Sequence, residues 1–284
     1  MQSERLKPIW LLPNLLSLDA PLVAVAWLYM FAKTWRVNYL PWVAYVSLGL
    51  VVWIIYVVNR LLDASMGNDR DRSKARHDFH RKHSRVFRAL ACGAGTIASV
   101  MIIKGLPMTL YGYAIVGALM VGGFFTLSFF SSTESSEIPY GKNIVAGLTF
   151  AYGTAMLAHA YTGFEKDTLI RSPEMICFAV LCILNISAVD LWEHASRSND
   201  LEIKASDELA LTLPLTLLGA ASLVFALRDP DLSTRPFFYA ILTGAALLQI
   251  LNRTRSQWSM SSLRVLADAA LLVPLIIFNA ASKN

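Results

Sequence analysis

Apolar residues in this chain run in long blocks and show no period-two alternation. Stretches at roughly 12–32, 42–62, 86–104, 107–130, 142–162, 174–195, 208–227, 236–252 and 263–280 each approach the ~20 residues a helix needs to cross a hydrocarbon core. The pattern predicts an all-α polytopic membrane protein of about nine transmembrane helices. Short polar connectors separate the blocks, so no linker divides the chain and 1–284 reads as one integral membrane domain. The first block carries Asp19 and Pro21, lacks a small-residue cleavage site and is followed at once by further blocks. It is therefore expected to be a span, not a cleavable signal.

Composition agrees with a lipid solvent. Hydrophobic residues make up 55% of the chain, charged residues 16%, and the mean hydropathy is +0.49, outside the range of ordinary soluble or disordered domains. Cys92, Cys177 and Cys182 lie inside apolar blocks without CxxC spacing, which argues against a disulfide framework or zinc ribbon. A formal charge of +5 is expected to reflect topology, and nucleic acid is not an expected partner, because no basic face of a soluble fold carries it. The connector after the second block holds Arg60, Arg70, Arg72, Lys74, Arg76, Arg81, Lys82, Arg85 and Arg88. With Arg5, Lys7, Lys142, Arg197, Lys204, Arg253, Arg255 and Arg264, seventeen of the 25 cations fall on one side. By the positive-inside rule that side is cytoplasmic, which puts the N-terminus inside and, with nine spans, the C-terminus outside.

Ionisable groups at membrane depth are costly and mark candidate sites. Two groups fall at cytoplasmic ends of expected spans: Asn59 and Asp63, four residues apart, and Asp190 and Glu193, three apart. Each pair shares a helical face. Hard oxygen ligands of this kind suit Mg2+, which takes one or two carboxylates and completes its shell with water and substrate phosphate. Two such clusters facing one another can bridge a diphosphate through metal, with Arg and Lys neutralising the remaining charge. Carboxylates at span ends also serve as plain interfacial residues, and each cluster has that second reading.

At these residues the chain resembles the UbiA superfamily of intramembrane prenyltransferases. The family has nine helices and two acidic motifs at the cytoplasmic ends of the second and sixth. Its Asn-x-x-x-Asp-x-x-x-Asp motif is matched by Asn59 and Asp63, with Gly67 in the third position; its Asp-x-x-Asp-x-x-x-Asp motif reads Asp190, Glu193 and Arg197. The resemblance implies helices around a central cavity and Mg2+-dependent loss of diphosphate from a prenyl donor. A lipophilic or aromatic acceptor then attacks the allylic cation. Asp63 and Asp190 are implied as catalytic metal ligands, Asn59 and Glu193 as completing the metal sites, and Arg197 as a diphosphate contact. Asn68, Asp69 or Asp71 can supply acidity that Gly67 lacks. The same ionisation serves terpene cyclases of this superfamily, and a catalytically inactive protein of the same fold would also carry incomplete motifs.

Other polar residues fit around this site. Arg76, His80 and Arg81, in a loop with three of the five histidines, can close on diphosphate oxygens or anchor the loop to anionic lipid headgroups. Their cationic surroundings disfavour a metal. Lys142 can meet phosphate or snorkel to the interface. Asp19 is a candidate partner of Asn14, and Asp268 of Arg264 four residues earlier. Tyr56 and Trp192 lie near the acidic clusters and can shield a cation with their π faces, whereas the remaining aromatics read as packing or interfacial belts. Gly93, Gly95, Gly117, Gly122 and Gly123 read as close-packing positions, since no GxGxxG or Walker pattern occurs. The strings expected of CDP-alcohol phosphotransferases are absent, five histidines are too few for a membrane di-iron hydroxylase, and no repeat points to a transporter.

Overall fold

A computed structural model describes residues 12–65, 83–130, 140–229 and 232–282. Every long regular element among them is helical: α1 (Leu12–Leu15), α2 (Asp19–Thr34), α3 (Trp42–Ser65), α4 (Ser84–Gly105), α5 (Thr109–Phe130), α6 (Tyr140–His159), α7 (Lys166–Arg171), α8 (Pro173–Arg197), α9 (Leu201–Arg228), α10 (Arg235–Thr254), α11 (Met260–Leu272) and α12 (Pro274–Ala281). Six stretches are long and apolar enough to cross a membrane: Trp42–Leu62, Ser84–Gly105, Thr109–Phe129, Pro173–Arg197, Leu201–Arg228, and α11 with α12 as Met260–Ala281. The chain is thus all-helical with the makings of an integral membrane protein. The other three expected spans are also helical, as α2, α6 and α10, of 16, 20 and 20 residues.

Helix boundaries follow local chemistry. Ser172 caps α8 by accepting from the Met175 N–H, with Pro173 in the first turn where a missing N–H costs nothing. Asp200 caps α9 through the Glu202 N–H, and Ser259 caps α11 through the Ser262 N–H. Two expected spans are interrupted. Ser17 sits at φ +59° between α1 and α2, so the first helix is broken near its start. Pro274 cannot donate to the preceding turn, and α11 gives way to α12 there. The Trp27 indole N–H uses the resulting opening, donating to the Leu271 carbonyl at 2.8 Å.

Burial sorts the helices into an inner and an outer set. Buried residues fill 67% of the apolar stretch of α8, against 17% in α4 and 11% in α5. The centre of the bundle is the stack of Trp27 on Phe178, with ring centroids 4.3 Å apart, flanked edge-on by Phe237 at 5.5 Å. Helix α6 reaches α8 at Gly147. A Cβ there would lie 2.7 Å from the Ile183 nitrogen and 2.8 Å from its Cα, so only glycine admits this backbone approach. In lipid, where apolar surfaces do not drive helices together, such small-residue contacts let dispersion do so.

Candidate functional site

The close contact of α6 and α8 sets the first part of the site. The two helices run antiparallel, and one turn before Gly147 and about two turns beyond Ile183 the Asn143 amide donates to Asp190 Oδ2 at 2.8 Å. Asn143 is buried. One turn of α8 further round, both carboxylate oxygens of Glu193 are taken by guanidinium groups. Arg264 of α11 donates to Oε1, and Arg197, four residues along α8, donates to Oε2 at 3.3 Å.

A second charged group adjoins the first. Arg60 of α3 is buried, and its Nη1 donates at 2.6 Å to both the Asn14 carbonyl and the Ser17 hydroxyl. The Asn14 carbonyl, at the break between α1 and α2, accepts from the Ser17 N–H as well, at 3.3 Å. The Asn14 amide donates to Asp19 Oδ2 at 2.6 Å, and Asp19 Oδ1 accepts from the Ala20 N–H, so the expected Asn14–Asp19 pairing is present. Arg60 also lies within electrostatic reach of Asp19, Asp268 and Arg264, and Tyr56 within reach of Asp19 and Asp268. The charged groups at the ends of α3 and α8 therefore lie near one another, with Asp268 and Arg264 of α11 within reach of Arg60.

Around α8, α9 and α10 a further set of polar contacts seals the same end. His194 Nδ1 and Asp207 Oδ2 lie 2.7 Å apart. The Trp192 indole N–H donates to Asn252 Oδ1 at 3.0 Å, and the Asn252 amide donates to the Glu208 carbonyl. Glu208 in turn pairs with Arg253 at 2.5 Å and Arg255 at 3.2 Å. Trp192 is buried and its ring edge is committed to this network.

The expected site residues fall out unevenly. Asp190, Glu193 and Arg197 share one charged cluster. Asn59 lies on α3 beside Arg60, and Asp63 closes α3, but its side chain lies outside the described residues, as do Arg76, His80, Arg81, Asp69 and Asp71. Lys142 leans over the Phe124 ring at 5.9 Å, on α5, whereas its neighbour Asn143 turns to α8. Three residues with no assigned site role in the sequence take part: Asn143, Arg60, which counted only toward topology, and Arg264, which counted as a partner of Asp268. Among the described residues no three His, Cys, Asp or Glu side chains form a metal-binding group. Asp190, with Asn143 beside it, offers the single carboxylate and amide that Mg2+ accepts when phosphate and water fill its remaining positions. Glu193 presents no such donor set.

A pocket of about 210 Å3 lies elsewhere, lined by Tyr29, Lys33, Asn38, Tyr39, Leu40 and Tyr45. Lys33 is fourteen residues along α2 from Asp19, or about 21 Å at helical rise, so this pocket opens at the opposite end of the bundle. No protein-family model matches the chain, and no curated protein or solved structure does so either.

Proposed function

We propose that this chain is a nine-span, single-domain intramembrane enzyme acting on a prenyl diphosphate with Mg2+, transferring the prenyl group to a lipophilic or aromatic acceptor in the manner of the UbiA prenyltransferases. The observation that carries the reading is the gathering of charged groups at the ends of α3 and α8, the two helices on which the acidic motifs stand: Arg60 held by Asn14 and Ser17, and Glu193 held by Arg264 and Arg197, with Arg60 and Arg264 within electrostatic reach of one another. Buried charge at membrane depth is costly unless it serves a site. The first, sixth and ninth segments meet there, as a site lined by several spans requires.

In this reading α2, α6 and α10 also cross the membrane. They are the inner helices, and their small and polar residues pack against protein and not lipid. The N-terminus and acidic helix ends face the cytoplasm, where the basic connectors lie. Bound Mg2+ would supply charge to the departing diphosphate. Asp190 and Asp63 would hold it, with Asn59 alongside. Asn143 orients the Asp190 carboxylate, and Arg197, with Arg76 and Arg81 from the basic loop, neutralises diphosphate oxygens. Lys142 adds cationic charge at the start of α6. The apolar interior between the helices would take the prenyl tail and the acceptor.

The test is diphosphate release by detergent-purified protein given geranyl, farnesyl or geranylgeranyl diphosphate with Mg2+, with and without a membrane-lipid extract. Release that requires the extract supports transfer. Release without acceptor, yielding a hydrocarbon or terpene alcohol, reassigns the chain to the cyclases. Silence with every donor reassigns it to an inactive protein of the same fold.

A further inference from the structure

Glu193 stands where the family motif expects a metal ligand, yet its surroundings are those of a counter-ion. Its two oxygens accept from two different guanidinium groups, one from its own helix and one from α11. Its side chain is 17% exposed and that of Arg264 11%, whereas Arg197 is 43% exposed. A divalent cation at Glu193 would have to displace a largely buried arginine and leave that guanidinium charge without its partner, which is strongly unfavourable in a low-dielectric interior. Arg264 and Arg197 meanwhile bring two positive charges to Glu193, one helical turn along α8 from Asp190, in the planar donor geometry that matches phosphate oxygens.

Resting on the prenyl-diphosphate reading above, we infer that Glu193 holds no metal and instead aims Arg264 and Arg197 at the diphosphate, their charge standing in for a second metal ion. The site then works with one Mg2+, held on the Asp190 side. Glu193 is a positioning residue in this scheme: it keeps two like charges close together and preformed before substrate arrives. Arg197, the more exposed of the two, is the one able to swing from Glu193 to the incoming anion. Its replacement of the motif's third acidic position has the same sense, since a carboxylate there would repel the diphosphate that an arginine attracts.

The experiment is calorimetric titration of the full-length protein in detergent with inorganic diphosphate over a series of Mg2+ concentrations. Wild type is expected to show one Mg2+ per bound diphosphate, with a Hill slope near one. Glu193→Gln is expected to leave the Mg2+ concentration for half-saturation within about twofold. Arg197→Gln is expected to weaken diphosphate binding about tenfold at saturating Mg2+, the loss of one charge-assisted contact, again without moving the Mg2+ requirement. Arg264→Gln alone takes from the Glu193 carboxylate its more buried cation, so the double variant Glu193→Gln, Arg264→Gln is used to keep the fold, and the same tenfold loss is expected. A tenfold rise in Mg2+ requirement for Glu193→Gln, or wild-type diphosphate affinity in both arginine variants, overturns the inference. If wild type binds no diphosphate with Mg2+, or Asp190→Asn binds as well as wild type, the prenyl-diphosphate reading itself fails and takes the inference with it.

Discussion

Arg60 shows how a single residue can tie a site to a fold. Its guanidinium donates to two acceptors at the break around Ser17 and balances carboxylates on two other helices. Replacing it with alanine removes its hydrogen bonds to the Asn14 carbonyl and the Ser17 hydroxyl and leaves Asp19 and Asp268 in a less compensated interior. We expect Arg60→Ala to lose about 3 kcal/mol of stability, read as a lowered midpoint of thermal unfolding in detergent; an unchanged midpoint would mean that water already serves those groups. Asp190 is different, because Asn143, which donates to its carboxylate, is neutral and can donate equally to the amide oxygen of an asparagine there. Asp190→Asn is therefore expected to keep the wild-type unfolding midpoint while abolishing Mg2+-dependent turnover. Loss of both together would mark Asp190 as structural. Of these residues, Asp190 and Glu193 were legible from helical spacing, Arg197 from the motif resemblance, and Asn14 as one candidate partner of Asp19 close in sequence. Asn143 and Arg264 were not, because they meet their partners across 47 and 71 residues of chain, a distance that no local spacing encodes.

At the scale of elements, Gly147 is the position on which the α6–α8 contact depends. A methyl group there meets backbone and not a flexible side chain, so relief requires the helices to part. Gly147→Ala is expected to cost about 1–3 kcal/mol, and to reduce turnover as well, since the same crossing holds Asn143 against Asp190. Wild-type stability and activity in that variant would show that the helices cross elsewhere. Hydrophobic patterning located most helical segments to within a few residues, because each is a block of apolar positions; α9 begins seven residues before the expected 208, because its first two turns carry Glu202, Lys204, Asp207 and Glu208. The breaks at Ser17 and Pro274 escaped it. Ser17 takes a left-handed conformation that Arg60 stabilises from a distant helix, and Pro274 interrupts a stretch that is otherwise apolar throughout. The six-residue α7 escaped it for a simpler reason, being too short to show a period.

For the whole molecule, burial is graded outward from α8, which is both the most buried and the most apolar of the six candidate spans. Residues that face protein can be small or polar, whereas α4 and α5, with large exposed apolar side chains such as Ile97, Ile103, Ile115 and Leu119, must meet lipid or another apolar surface. Sidedness is the property that sequence charge alone supplies. A cysteine placed at Gln257, in the turn between α10 and α11, is expected to react with a membrane-impermeant thiol reagent only from the cytoplasmic face, and one at Pro107, between α4 and α5, only from the opposite face, in a background where Cys92 is replaced by serine. Labelling of both from one side would remove an odd number of the spans between them.

The central claim is that the charged end of the bundle ionises a prenyl diphosphate. Its most direct measurement is Mg2+-dependent diphosphate release by the purified full-length protein, compared with that of Asp190→Asn at matched folding. The account predicts release by wild type with at least one of the three donors and none above background by the variant. No release by wild type with any donor, or equal release by both proteins, would contradict it.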